Sequence, residues 1–215
     1  MPLVTKITRR SRQTLLVCLI GLFISACPAS SIQYSQSSVV KFPTGEVRGQ
    51  GPYPYNLRVI DHHIFAGGHP FNPTNGLKNS GAEVLAILKY LKGEGVKTII
   101  DLENTKSVSQ MYSLLVKQEG FYFIHIPLSE MRVPDKNEWK SISTALSSPV
   151  YLHCYWGADR TGLIIAKYLM EKHGYSKEQA LNAVMSGGTH AGYMGGMKKW
   201  FLLNHYFMGF LKPSL

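Results

Sequence analysis

From about residue 56 onward, short apolar runs alternate with longer stretches whose apolar positions recur every three or four residues. "RVIDHHIFAGG" (58–68) reads as two short strands around an Asp-His turn, closed by Gly67 and Gly68. Ser80 and Glu83 have the spacing of a capping box ahead of Val84, Leu85, Ile87, Leu88 and Leu91, and Gly93 is the stop signal. "VKTIIDL" (96–102) is an apolar strand. Met111, Leu114 and Leu115 mark the apolar side of a helix ending before Gly120, and "FYFIHI" (121–126) is a further strand. Asp135 and Glu138 open a helix that carries Trp139, Ile142, Ala145 and Leu146. "VYLHC" (150–154) is a strand that runs directly into a loop. "TGLIIAKYLMEKH" (161–173) continues as a helix apolar on most sides, with Lys167 and Glu171 on its solvated face. Ser176 and Gln179 start another helix, and "MKKWFLLNHYFMGFL" (197–211) predicts a last amphipathic one.

Strands alternating with helices predict an α/β fold, with a central, mainly parallel sheet flanked by helices. Ligands of such sheets sit outside the carboxyl ends of the strands. The loop after Val150–Cys154 lies at one of those ends.

The first 55 residues break this pattern. Lys6, Arg9, Arg10 and Arg12 precede the apolar run "LLVCLIGLFISA" (15–26). At 12 residues that run is too short to span a bilayer as a helix, which takes about 20. It suits the apolar core of a signal peptide covering residues 1–26. The run ends in "ISAC" (24–27), which resembles a bacterial lipobox and makes Cys27 the lipidated residue. The competing reading is ordinary cleavage near Ala26 or Ala29, with Cys27 incidental. Residues 27–55, rich in Ser, Gly, Gln and Pro, read as a flexible tether, and 56–215 as the working domain. The expectation is an exported bacterial lipoprotein, held by its lipid at a membrane and facing the periplasm or the cell surface.

The formal charge of +10 overstates the basicity of the working domain. Without residues 1–26 the balance is 19 basic to 13 acidic side chains. That attracts anionic substrates, but with no dense Lys/Arg stripe it excludes a nucleic-acid footprint. Cys18 falls inside the expected signal peptide and Cys27 at its end, so on the lipobox reading Cys154 is the one free thiol of the mature chain and no internal disulfide is available.

That thiol stands in "HCYWGADRTG" (153–162). A loop from strand end to helix start aims backbone N–H groups at an anion, and the helix adds the positive end of its dipole. Gly157 permits the tight backbone. The same field favours the Cys154 thiolate as nucleophile. Arg160 offers a planar fork to two phosphate oxygens, and the Thr161 hydroxyl can donate to the sulfur as it leaves.

The run resembles the His-Cys-x5-Arg-Ser/Thr signature of the cysteine-based phosphatases, specifically the compact dual-specificity branch and its bacterial relatives. Weaker similarity extends from about Tyr55 to Phe210, through "IFAGGHP", "VKTIIDLEN" and "FIHIPLSE". The resemblance implies a dual-specificity-phosphatase-like fold and a metal-free mechanism without a cofactor. Cys154 would form a phosphocysteine, Arg160 would clamp the phosphate and His153 would tune the thiolate. The backbone of Tyr155, Trp156, Gly157, Ala158, Asp159 and Arg160 would bind the phosphate, with Thr161 beside it.

The proton donor to the leaving oxygen has three candidates. Asp135 is explained by helix capping. Glu130 sits where the family carries its acid loop. Asp159 occupies a Cys-x4-Asp-Arg-Thr arrangement that, in some lipid and secreted bacterial phosphatases, carries the acid. The alternative for Asp159 is to orient the loop by pairing with Arg160. A carboxyl facing a bound dianion has its charged form disfavoured, which is what a general acid requires.

Tyr155 and Trp156 either wall the pocket or pack the loop. The Gly-rich run at 185–196, with His190, is an interhelical loop that could close over the site. His62 and His63 read as a turn pair, with no metal-ligand spacing around them. The expected substrate is a phosphorylated protein, with an inositol phosphate or phosphoinositide as the alternative. A phosphate-binding pseudophosphatase is the reading from another class.

Overall fold

The computed structural model describes residues 39–41, 52–72, 78–104, 106–185 and 202–212. Its strands are β1 (Val39–Lys41), β2 (Arg58–Ile60), β3 (Ile64–Gly68), β4 (Thr98–Asp101), β5 (Tyr122–His125) and β6 (Val150–Cys154). They form one sheet in the order β1-β2-β3-β6-β4-β5. The four strands β3, β6, β4 and β5 are parallel, while β1 and β2 add an antiparallel edge. The mainly parallel sheet expected from the hydrophobic pattern is therefore present. β1 is an addition, lying in the segment expected to be tether.

The register places the chemistry. Gly67, His153, Asp101 and His125 are successive partners across β3, β6, β4 and β5, so they share one row on one face. Gly68 and Cys154 pair at the strand ends on the opposite face, with Ala66 and Leu152 behind them. Both faces are covered by core. One cluster holds Ile60, Ala66, Ile100, Leu152, Leu163, Ile164 and Leu169; the other holds Phe65, Val84, Leu88, Ile99, Tyr112 and Tyr151.

The helices are α1 (Gly81–Gly93), α2 (Lys106–Gln118), α3 (Lys136–Ala145), α4 (Asp159–His173), α5 (Lys177–Met185) and α6 (His205–Phe210). Capping explains where three of them begin. Ser80 with Glu83 closes a reciprocal box on α1, as Asp135 with Glu138 does on α3. Ser176 and Gln179 exchange the same two bonds ahead of α5, at 2.8 and 3.1 Å. Asp61 and His62 take positive φ values of 50° and 63°, which turns β2 back along β3. The His63 ring bonds the carbonyls of Asp61 and Leu146, so this histidine pair is structural.

Three expectations need correction. α2 buries Tyr112 and Val116, whereas Met111 and Leu114 are exposed, because the covering face is set by the sheet and not by the most apolar residues. Lys167 is not on a solvated face: it is buried, bonded to Lys212 O at 2.7 Å and paired with Glu171 at 3.2 Å. The last helix is six residues, capped by Asn204, where a helix over 197–211 was expected, and residues 197–201 lie outside the described residues.

Candidate active site

The loop from β6 to α4 is held from behind by its carbonyls. Tyr155 O accepts from His69 N at 3.0 Å and from Asn72 Nδ2 at 2.7 Å. Asn56 Nδ2 donates to Trp156 O and Gly157 O at 3.2 and 3.3 Å. Carbonyls anchored outward leave the loop's amide N–H groups for the inner side, where an anion binds. Gly157 has φ of 68°, and a Cβ there would lie 2.2 Å from Gly67 C. Only glycine satisfies both conditions. Ala158 is the N-cap of α4 and supplies no side-chain hydrogen bond to its first turn.

Cys154 is a free, buried thiol at the end of β6. Arg160 Nη1 donates to Leu102 O and Leu128 O at 3.2 and 3.3 Å, tying the ends of β4 and β5 to the loop. Its ion pair is with Glu103, at 3.2 Å. Burial works against the Arg160 charge, but Cys154, then Glu103 and Asp101, outweigh it and raise the guanidinium above its ordinary pKa. Glu103 carries no signal in the sequence beyond its place just after a parallel strand. The adjacency of β4 and β6 is what brings it to Arg160.

His153 is fully buried and neutral: burial, then the neighbouring His69, pull it well below the usual histidine range. The expected tuning residue is thus a neutral ring and not a cation. Its Nδ1 lies 3.6 Å from Asp101 Oδ1. Burial pushes the Asp101 carboxyl up to about 7, against the opposing bond from the Glu103 N–H. His69, Asp101 and His153 offer ligand atoms within 4.8 Å of one another. The donor set does not suit a cation, however. His69 Nδ1 accepts from Phe71 N at 3.1 Å, so the neutral ring carries its proton on Nε2, and that nitrogen has no lone pair to give. The cluster is a buried polar support at the strand ends beside Cys154.

In front of the loop, a pocket of about 470 Å³ is lined by Asn104, Leu128, Ser129, Glu130, Met131, Asp159, Arg160 and Phe207. Both remaining acid candidates therefore face the same space. Glu130 is exposed on a turn closed by the Ser129–Arg132 bridge, and Asn204 Nδ2 holds its carbonyl at 2.6 Å. Arg132 straps that turn to Glu138 and Pro127 O. Asp159 is the first residue of α4. Asp135 accepts from Asn137 N and Glu138 N at 2.8 and 2.9 Å, so it is occupied as a cap. Thr161 Oγ1 is buried and makes no hydrogen bond.

Tyr155 and Trp156 are absent from that lining. Trp156 meets Tyr55 edge-on at 5.5 Å and Tyr155 at 5.0 Å, so these aromatics pack the outside of the loop. Cys27 and the Gly-rich run with His190 lie outside the described residues.

Residues 76–174 match the family model described as "Polymorphic toxin system, DSP-PTPase phosphatase". No curated protein matches the chain. Among solved structures, TpbA of P. aeruginosa aligns with TM-score 0.51 and 20% identity, over 72% of this chain and 82% of its own. Kinase associated phosphatase aligns with TM-score 0.54 and 20% identity, over 71% of this chain and 89% of its own. PTPMT1 does so with TM-score 0.51 and 20% identity, over 72% and 95%. At these identities the likeness establishes the fold.

Proposed function

We propose that this chain, whose residues 76–174 match a DSP-PTPase phosphatase family model, is a dual-specificity-like cysteine phosphatase and that its substrate is a phosphotyrosyl protein. The lining of the pocket carries this reading. Among its described residues Arg160 is the one basic side chain, beside two carboxylates and the apolar Leu128, Met131 and Phe207. Such a pocket suits a single phosphate on an aromatic carrier. An inositol polyphosphate would bring further dianions against Glu130 and Asp159. TpbA, which shares the fold, is described in complex with phosphotyrosine.

In this reading Cys154 Sγ attacks phosphorus, and the bond to the tyrosyl oxygen breaks as that oxygen takes a proton. Arg160 and the N–H groups of residues 155–160 hold the equatorial oxygens, where charge spreads in the transition state. Glu130 is the proposed donor. Asp159 sits at the positive end of α4, a field that favours its carboxylate form, whereas the Glu130 turn lies outside it. Water then attacks the phosphocysteine with the same carboxylate as base. Phosphate departs, and the Thr161 hydroxyl donates to the departing thiolate. We further propose that residues 1–55 export and tether this domain through a lipid on Cys27.

Phosphate release from phosphotyrosyl and phosphoseryl peptides, phosphoinositides and phytate tests the assignment. The expected kcat/KM is at least tenfold higher on phosphotyrosyl peptides, with turnover lost in Cys154→Ser. Faster release from an inositol phosphate would replace the substrate reading, and no turnover on any substrate would leave a phosphate-binding protein. Glu130→Gln should lose far more rate on phenyl phosphate than on p-nitrophenyl phosphate; that pattern in Asp159→Asn alone would move the acid to Asp159.

A further inference from the structure

Arg58 lies on β2, outside every motif of the phosphate loop, yet it is among the largest fully buried side chains of the protein. Its Nη1 donates to Asn56 O at 3.0 Å, while Nε and Nη2 are buried with no hydrogen-bond partner. No carboxylate among the described residues pairs with it. An arginine shielded from water without an anion is costly, so the fold must supply compensation nearby.

The sheet register shows where that compensation comes from. Arg58 is the partner of Ala66 and Ala66 of Leu152, which puts Arg58 on the face that also carries Cys154. The guanidinium reaches back to Asn56, beyond the Ala66 row and towards the strand ends where Gly68 and Cys154 pair. Ala66 and Gly68, the residues between, are the two smallest, so little side chain separates the cation from the sulfur. Burial lowers the Arg58 pKa to about 9, opposed first by Cys154 and then by Tyr151. Tyr151 is itself held well above its ordinary range by burial, so of the two groups Cys154 is the one whose anion would compensate the Arg58 charge.

We propose that Arg58 is a second, rear cation of the active site: a positioning residue that stabilises the Cys154 thiolate from beneath the loop while Arg160 holds the substrate side. The arrangement divides two duties. Arg160 is already engaged by Glu103, Leu102 O and Leu128 O, and it turns towards the substrate pocket. Arg58 is fully buried and does not line the substrate pocket. It also braces the loop mechanically, because the Asn56 whose carbonyl it holds carries the Trp156 and Gly157 carbonyls on its side chain. Among the described groups, Arg160 on α4 and Tyr151 on β6 also interact electrostatically with Cys154, and the neutral His153 precedes it on β6.

The inference rests on Cys154 being the nucleophile, and its test reads the thiol directly and not turnover. Iodoacetamide alkylation of the full chain is followed from pH 4 to 9 at the Cys154 peptide by mass spectrometry. Arg58→Gln keeps a donor for Asn56 O but removes the charge. Its alkylation midpoint is expected to move up by one pH unit or more, with kcat on p-nitrophenyl phosphate at pH 6 falling about tenfold and KM changing less than threefold. An unchanged midpoint in the folded variant overturns the proposal, whatever happens to kcat. Should that variant not fold, Arg58→Lys decides, because full burial neutralises an ammonium by several pH units. The same upward shift supports the rear cation, and a wild-type midpoint overturns it.

Discussion

Asp101 is a carboxyl that the fold holds at a cost. Its Oδ1 accepts from Glu103 N at 2.8 Å, but Oδ2 is buried without a partner. Burial places its folded pKa at about 7, against about 3.9 in an unfolded chain. The folded state therefore favours the protonated form. Its contribution to stability is complete below the unfolded value and is lost as pH rises through 4 to 7, by up to about 4 kcal/mol at roughly 1.4 per unit. His69 and His153 act in the opposite sense. Burial lowers His69 to about 4 and His153 further, so both are neutral in the fold but take up protons in the unfolded chain below about 6.5. Asp101→Asn should thus melt above the wild type by a margin that grows from pH 4.5 to pH 8. Thermal melts at those two values measure it, and a margin that is flat or shrinks with pH contradicts the assignment.

At the scale of elements, the phosphate loop depends on a close approach between two turns. Gly157 sits against the backbone of Gly67 and Gly68, and its own carbonyl and those of Trp156 and Tyr155 are occupied by Asn56, Asn72 and His69. Gly157→Ala adds a Cβ at 2.2 Å from Gly67 C and forces an alanine to a φ of 68°. The positive φ alone costs about 1–2 kcal/mol, and the overlap adds to it. The expected result is a fall in kcat/KM of at least a hundredfold, with a lowered melting temperature; wild-type turnover would show that the loop has room. The caps of α1, α3 and α5 were legible because a capping box needs only residues three apart. The burial of Tyr112 in place of Met111 and Leu114 was not. A helical period identifies an apolar stripe, while the sheet beneath decides which part of it is covered.

The whole molecule combines a strongly basic stretch over its first 26 residues with a modestly basic remainder. Among its described residues no helix is long and apolar enough to cross a membrane. Membrane attachment, if the lipobox reading is right, rests on Cys27 alone. Cys27→Ala should then lose incorporation of labelled fatty acid and leave the membrane fraction, with phosphatase activity in the extract unchanged. Membrane association that persists in this variant would refute the anchor.

By itself the sequence determined what local chemistry encodes: where strands and helices start, and that Cys154, Gly157 and Arg160 stand in one strand-to-helix segment. These are relations between residues a few positions apart, and spacing alone expresses them. Only the tertiary structure decided which groups stand around that loop. Glu103 reaches Arg160 because β4 lies beside β6, although the two residues are far apart in the chain. Asp101, His153 and His69 meet because parallel register aligns the ends of β4, β6 and β3. Arg58 comes to the sheet face that carries Cys154 because β2 folds back along β3. Burial and register have no signature at short range, which is why the loop could be read along the chain and its electrostatic surroundings could not.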